Sequence, residues 1–174
     1  MILRKTGRIL RSRRGYTLIE VMVALAIISL IGGGVSTATI QILKQGVRNG
    51  AYTTASQYTM NAVHWISRDA EMSQTVATDG ASGFPLTLSW IDWGNSEYRV
   101  VYTIEDDKLK RSYSVNGGEP SQTVVAEYIN AISENTTCEF AFRVLTMQVT
   151  TTVGQGAHAI SVTNIRKIFI RSSP

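Results

Sequence analysis

The chain has 174 residues, enough for one modest domain, and a formal net charge of +4 that at first suggests a nucleic-acid partner. The charge is not spread: six of the 17 Lys and Arg residues, Arg4, Lys5, Arg8, Arg11, Arg13 and Arg14, precede Tyr16, leaving 11 cations against 13 Asp and Glu in the remainder. That remainder is net acidic, and a basic leader beside an apolar run is a topology signal rather than a phosphate-binding surface. Cys138 is the only cysteine, which excludes an internal disulfide and a multi-thiolate metal site and predicts a buried free thiol.

After Glu20 no formal charge appears until Lys44. The intervening stretch of roughly 23 residues spans about 34 Å as a helix, close to a bilayer core of about 30 Å. The leader cations then predict a cytoplasmic N-terminus and an exported remainder. Two features do not fit a plain anchor. Glu20 places a carboxylate near the start of the apolar run, where an ionisable group usually has a partner. Gly32-Gly33-Gly34 costs a helix about 1 kcal/mol per residue relative to alanine, although lipid still favours an intact helix. A cleaved secretory signal, with Ser36-Thr37-Ala38 as the cleavage site, and a permanent lone anchor are both compatible with the hydropathy; neither accounts for Glu20.

Gly15-Tyr16-Thr17-Leu18-Ile19-Glu20-Val21-Met22-Val23-Ala24-Leu25 resembles the processing site of type IV prepilins and of the pseudopilins of type II secretion. The resemblance covers residues 13–44 firmly and the rest more loosely. It implies that a membrane-embedded aspartic peptidase, the prepilin peptidase, cuts between Gly15 and Tyr16 and methylates the new amine of Tyr16. The family's near-constant glutamate falls at Glu20, whose carboxylate in a filament can meet the Tyr16 amine of a neighbouring subunit; a pair within one helix and a snorkelling carboxylate at the membrane edge are the competing readings. Tyr16 departs from the commoner Phe, and the helix lacks the proline that many major pilins carry in its second half.

Beyond the anchor, 44–77 is expected to continue the helix in amphipathic form. Tyr52, Ala55, Thr59, Ala62, Val63, Ile66 and Ala70 recur at three- and four-residue spacing on one face; Gln57, Asn61, His64, Arg68, Glu71 and Thr75 do so on another. Gly46 and Gly50 mark an expected bend between the halves. The stretch 66–72 weakly resembles the helix end of the larger minor pseudopilins, although its Arg68-Asp69 pair reads more simply as solvated surface.

From Thr78 the period changes to two. Tyr98, Val100, Tyr102 and Ile104 alternate with Arg99, Val101, Thr103 and Glu105. Asp106-Asp107 turns the chain, and Leu109, Arg111, Tyr113 and Val115 alternate on the return. Further strands are predicted near 86–93, 122–129, 138–152 and 159–171. The expected class is α+β: a long N-terminal helix packed on an antiparallel sheet, with residues 1–15 as cleaved leader, 16–43 as membrane and filament-core helix, and 78–174 as the globular domain.

No catalytic constellation emerges, and the chain is not expected to be an enzyme. His64 and His158 lack metal-ligand spacing, and the triple glycine sits inside an apolar helix without a lysine. No cofactor or metal is expected. Asp106-Asp107 reads as a turn, and Trp65, Trp90 and Trp93 as core or rim packing. The basic clusters outside the leader, Lys108, Lys110 and Arg111 with Arg166, Lys167 and Arg171, read as solvated strand faces, so nucleic acid is not an expected partner. The resemblance implies a minor pilin or pseudopilin of the inner membrane. Its implied partners are the prepilin peptidase, other pilin subunits, membrane lipid, and an assembly platform with its ATPase. A tip module contacting DNA, a secreted protein or a surface is the rival reading.

Overall fold

The structure, a computed structural model, describes residues 15–170; the expected leader up to Arg14, and Arg171 in the second basic cluster, lie outside the described residues. Its first element is the helix α1, Leu18–Met72, 55 residues long. The chain divides into two compact units at Gln45/Gly46, so α1 contributes a segment to each.

In the first unit the helix is apolar on every side, with an 18-residue window of mean hydropathy 2.3 and none of it buried. A helix without a polar face belongs in a protein core or in lipid. Its hydroxyls are compatible with lipid because they satisfy themselves. Ser29 donates to the Leu25 carbonyl at 2.8 Å, Ser36 to Gly32 at 2.8 Å, Thr37 to Gly34 at 2.9 Å and Thr39 to Val35 at 2.9 Å. Two of these acceptors lie in the triple glycine, which is helical, as are Gly46 and Gly50.

In the second unit α1 buries Ala55, Thr59, Ala62, Val63, Ile66 and Ala70, the face expected from the spacing, while Tyr52 at its start stays exposed. The strands are β1 (Thr75–Thr78), β2 (Leu86–Ile91), β3 (Glu97–Glu105), β4 (Lys108–Val115), β5 (Ser121–Ala126), β6 (Thr137–Ala141), β7 (Val144–Val153) and β8 (Ile160–Phe169). They form two antiparallel sheets, ordered β1-β2-β3-β4-β5 and β6-β7-β8. Alternation places Leu86, Leu88, Val100, Tyr102 and Leu109 in the core with the helix face, and Leu145, Met147 and Val149 join them from the second sheet.

The sheets are tied by local hydrogen bonds. Cys138 N–H donates to the Ser82 carbonyl at 2.8 Å, and β6 lies against β1. Ile129 bridges to Thr151 of β7 and donates to the Asp107 carbonyl at 2.8 Å. Helix and second sheet meet through a polar contact inside the core: Thr151 donates to the Ala55 carbonyl at 2.7 Å, with the Thr59 hydroxyl 2.6 Å away.

Three expectations are corrected. The helix does not reach residue 77. It ends at Met72, where Ser73 folds back on the Ala70 carbonyl at 2.7 Å, and Thr75–Thr78 pair with β2. The single strand predicted over 138–152 is a hairpin, β6 and β7, turning at Phe142 and Arg143 with φ of 51° and 66°. Trp93, expected to pack, is 99% exposed in the β2–β3 loop. By contrast, Asp106-Asp107 is a turn, with φ of 53° and 56°, the left-handed pair of a two-residue hairpin.

Candidate functional site: the N-terminal signal and the helix–sheet junction

The residues expected to carry processing and assembly stand together at the start of α1. Gly15, Tyr16 and Thr17 precede the first helical turn, and all are exposed. Thr17 and Glu20 answer each other. Glu20 N–H donates to Thr17 Oγ1 at 3.3 Å, while Thr17 N–H donates to Glu20 Oε2 at 3.5 Å. The reciprocal pattern is a capping box, with Thr17 as N-cap and Glu20 three residues on. It satisfies helix-end donors that would otherwise lack partners. The carboxylate also lies in the first turn, where the helix dipole favours negative charge. Glu20 therefore has an intrachain partner in the Thr17 N–H, different from the Tyr16 amine that a pair within one helix would use, and the spacing Thr-x-x-Glu is the signal for it. Tyr16 still carries a peptide N–H here; an amine exists at that atom only after the Gly15–Tyr16 bond is cut.

The second arrangement lies where the end of α1 meets β3 and β4. Asp69, read as surface, is 1% exposed. Helical spacing puts it on the same face as Ile66, and Arg111 and Tyr102, register partners on β4 and β3, converge on it. Arg111 Nε donates to Asp69 Oδ2 at 2.7 Å and Nη2 to Oδ1 at 3.1 Å, while Tyr102 Oη donates to Oδ2 at 2.5 Å. The guanidinium packs over Trp65 at 5.2 Å and Tyr113 at 5.0 Å from the ring centroids. Burial, reinforced by the neighbouring Asp69 charge and hydrogen bond, pushes the Tyr102 phenol far above its ordinary range. Burial opposes the Arg111 charge, but the Asp69 hydrogen bonds and charge together outweigh it and raise its pKa. This is a structural ion pair rather than a proton-transfer site: the raised values hold Tyr102 as the neutral phenol and Arg111 as the cation.

The other expected features are dispersed. Lys108 pairs with Glu127 at 3.1 Å and Lys110 with Glu105 at 2.7 Å, so with Arg111 on Asp69 each cation of the β4 cluster faces a carboxylate. Arg166 and Lys167 are exposed on β8. His64 is exposed on α1 and His158 lies in a 3-10 turn, Gly156–His158. Among the described residues no three His, Cys, Asp or Glu side chains converge as metal ligands. Cys138 is buried, and loss of solvent pushes its thiol up to about 12.

A family model described as the prokaryotic N-terminal methylation motif matches residues 10–36. No curated protein and no solved structure matches the chain. The motif supports a type IV pilin-like or pseudopilin precursor, which implies processing by prepilin peptidase and assembly with other pilin subunits. The fold is consistent with a pilin, one long helix with antiparallel sheets on its second half. The chain thus carries the type IV prepilin-like signal at the head of a long apolar helix.

Proposed function

We propose that this chain is a structural subunit, a minor pilin or a pseudopilin, of a filament assembled at the inner membrane. The prepilin peptidase cuts between Gly15 and Tyr16 and methylates the Tyr16 amine. The apolar half of α1 anchors the subunit with its N-terminus in the cytoplasm, and an assembly platform and its ATPase then move it into a filament. The observation that carries the reading is the match to the methylation motif at the head of a helix that is apolar all round. The pairing of each β4 cation with a carboxylate leaves only Arg166 and Lys167 of the two basic clusters without an ion pair among the described residues, too few for a continuous phosphate-binding surface, which disfavours the rival reading as a DNA-binding tip.

In the filament Glu20 exchanges its partner. In the precursor it holds the Thr17 N–H; after cleavage its carboxylate pairs with the Tyr16 amine of a neighbouring subunit. A wrong register would leave both charges buried and unpaired, at a cost of several kcal/mol, so the pair sets register more than it adds stability. The capping box supplies the discriminating test, because glutamine serves at its third position as glutamate does. Glu20→Gln keeps the cap and removes the charge, whereas Glu20→Ala removes both. If the charge pairs between subunits, both variants are cleaved yet neither enters filaments, read by cross-linking of processed protein. Incorporation of Glu20→Gln at the normal level, with only Glu20→Ala failing, would reduce Glu20 to a helix cap and overturn the pairing.

A further inference from the structure

The face of the first sheet that packs on α1 extends past the helix end. Leu86, Leu88, Val100, Tyr102 and Leu109 lie under the helix, while the next residues of the same alternation, Trp90, Tyr98 and Tyr113, lie beside its last turn. Trp90 stacks on Tyr98 at 5.4 Å with the planes 10° apart, and Tyr98 lies 6.0 Å from Tyr113. Trp65, Arg68, Asp69 and Met72 close the other wall, making a cleft of about 460 Å³.

The polar groups of this cleft are unequal. Each of its carboxylates already accepts three hydrogen bonds. Asp69 accepts from Arg111 and Tyr102. Asp92 accepts from Gly94 N–H at 2.8 Å, Ser96 N–H at 3.0 Å and Tyr98 Oη at 3.0 Å. Its guanidiniums are not saturated. Arg111 uses Nε and Nη2 on Asp69, and its Nη1 has no hydrogen-bond partner among the described residues. Arg68, against the Trp65 ring at 5.8 Å, forms no ion pair among the described residues. The hydrogen-bonding capacity left to a ligand is thus mainly donor capacity, set between aromatic walls. A neutral sugar brings several hydroxyl donors and finds few free acceptors here. A carboxylate attached to an apolar group satisfies both chemistries, since a guanidinium edge takes a carboxylate with good geometry and ring faces take the apolar part.

We propose that this cleft is a binding site for an acidic peptide segment of a partner protein: an Asp or Glu carboxylate on the free edge of Arg111, with Arg68 as second cation, and the neighbouring apolar side chain against Trp90 and Tyr98. The site uses only the second unit and stands whether or not the chain enters a filament.

The test uses the full chain in detergent micelles and a capped peptide, Gly-Gly-Glu-Phe-Gly-Gly, followed by calorimetric titration. Saturable binding is expected, weakened about tenfold when the peptide glutamate is replaced by glutamine and about threefold by Arg68→Gln, as befits loss of a charge-assisted hydrogen bond in a partly exposed site. Arg68→Gln should leave the melting temperature unchanged, because Arg68 is exposed and forms no ion pair among the described residues. Trp93→Phe, outside the cleft, should bind as the parent does. Absence of saturation, equal binding of the glutamine peptide, or binding of an oligouronate but not of the peptide would each overturn the proposal, the last in favour of an acidic polysaccharide.

Discussion

Removing Asp69 tests how the helix is fixed to the sheet. Asp69→Ala leaves the Arg111 guanidinium, whose side chain is 15% exposed, without its carboxylate, and leaves Tyr102 Oη without its acceptor. Breaking a buried ion pair from one side costs about 3–5 kcal/mol, because the surviving charge keeps its desolvation penalty. For a unit of this size that lowers the melting temperature by roughly 10–20 °C. The double variant Asp69→Leu with Arg111→Met removes both charges and fills the space with apolar atoms. Such replacements of buried pairs are often close to neutral, so the double variant should recover most of the loss. Thermal melts of the three proteins in one detergent, followed by near-ultraviolet circular dichroism, give the cycle. A single-variant loss under about 1 kcal/mol would show that water reaches the pair and would refute its description as a buried junction.

Gly83 sits at φ +77°, and a Cβ there would fall 1.7 Å from the Cys138 carbonyl oxygen, so Gly83→Ala must push the loop off β6. Denaturant titration should show a loss of about 2–4 kcal/mol. Cys138 should resist iodoacetamide at pH 8 in the folded protein and react once the domain is unfolded. Its folded thiol stays protonated up to about 12 against an ordinary value of 9.0, so the unfolded state loses the proton first. Stability should therefore be unaffected by this group below pH 9 and fall as pH rises from 9 towards 12, with Cys138→Ala flattening that slope. Rapid labelling of the native chain at pH 8 would contradict the burial.

Much of this fold was legible because its signals are local. The i, i+3, i+4 face of Ala55, Thr59, Ala62, Val63, Ile66 and Ala70 marks the buried side of the helix, and strict alternation around Asp106-Asp107 gives the β3–β4 hairpin its register, with Tyr102 opposite Arg111. What escaped reading depends on contacts distant in sequence. Strand β1 has only four residues and no alternation of its own; it exists because β2 offers an edge and Gln74 brackets Ile91 through both its amide atoms. The turn at Phe142-Arg143 contains neither glycine nor asparagine, the residues that usually announce a left-handed pair. Asp69 lies on the buried side by helical geometry, yet a carboxylate beside Arg68 reads as surface until Arg111, 42 residues later, is known to arrive there. At the N-terminal signal the position of Glu20 was legible from motif and cost alone, whereas its capping role needed only the Thr-x-x-Glu spacing.

The central claim concerns where the chain is cut, and mass spectrometry of the N-terminal peptide of protein recovered from producing cells reads it directly. The mature chain should begin at Tyr16 with a methylated amine, and the precursor should be retained when Gly15 is replaced by a bulky or charged residue. A mature chain that begins near Thr39, after Ser36-Thr37-Ala38, would establish an ordinary secretory signal, remove the apolar half of α1 from the finished protein, and contradict the account.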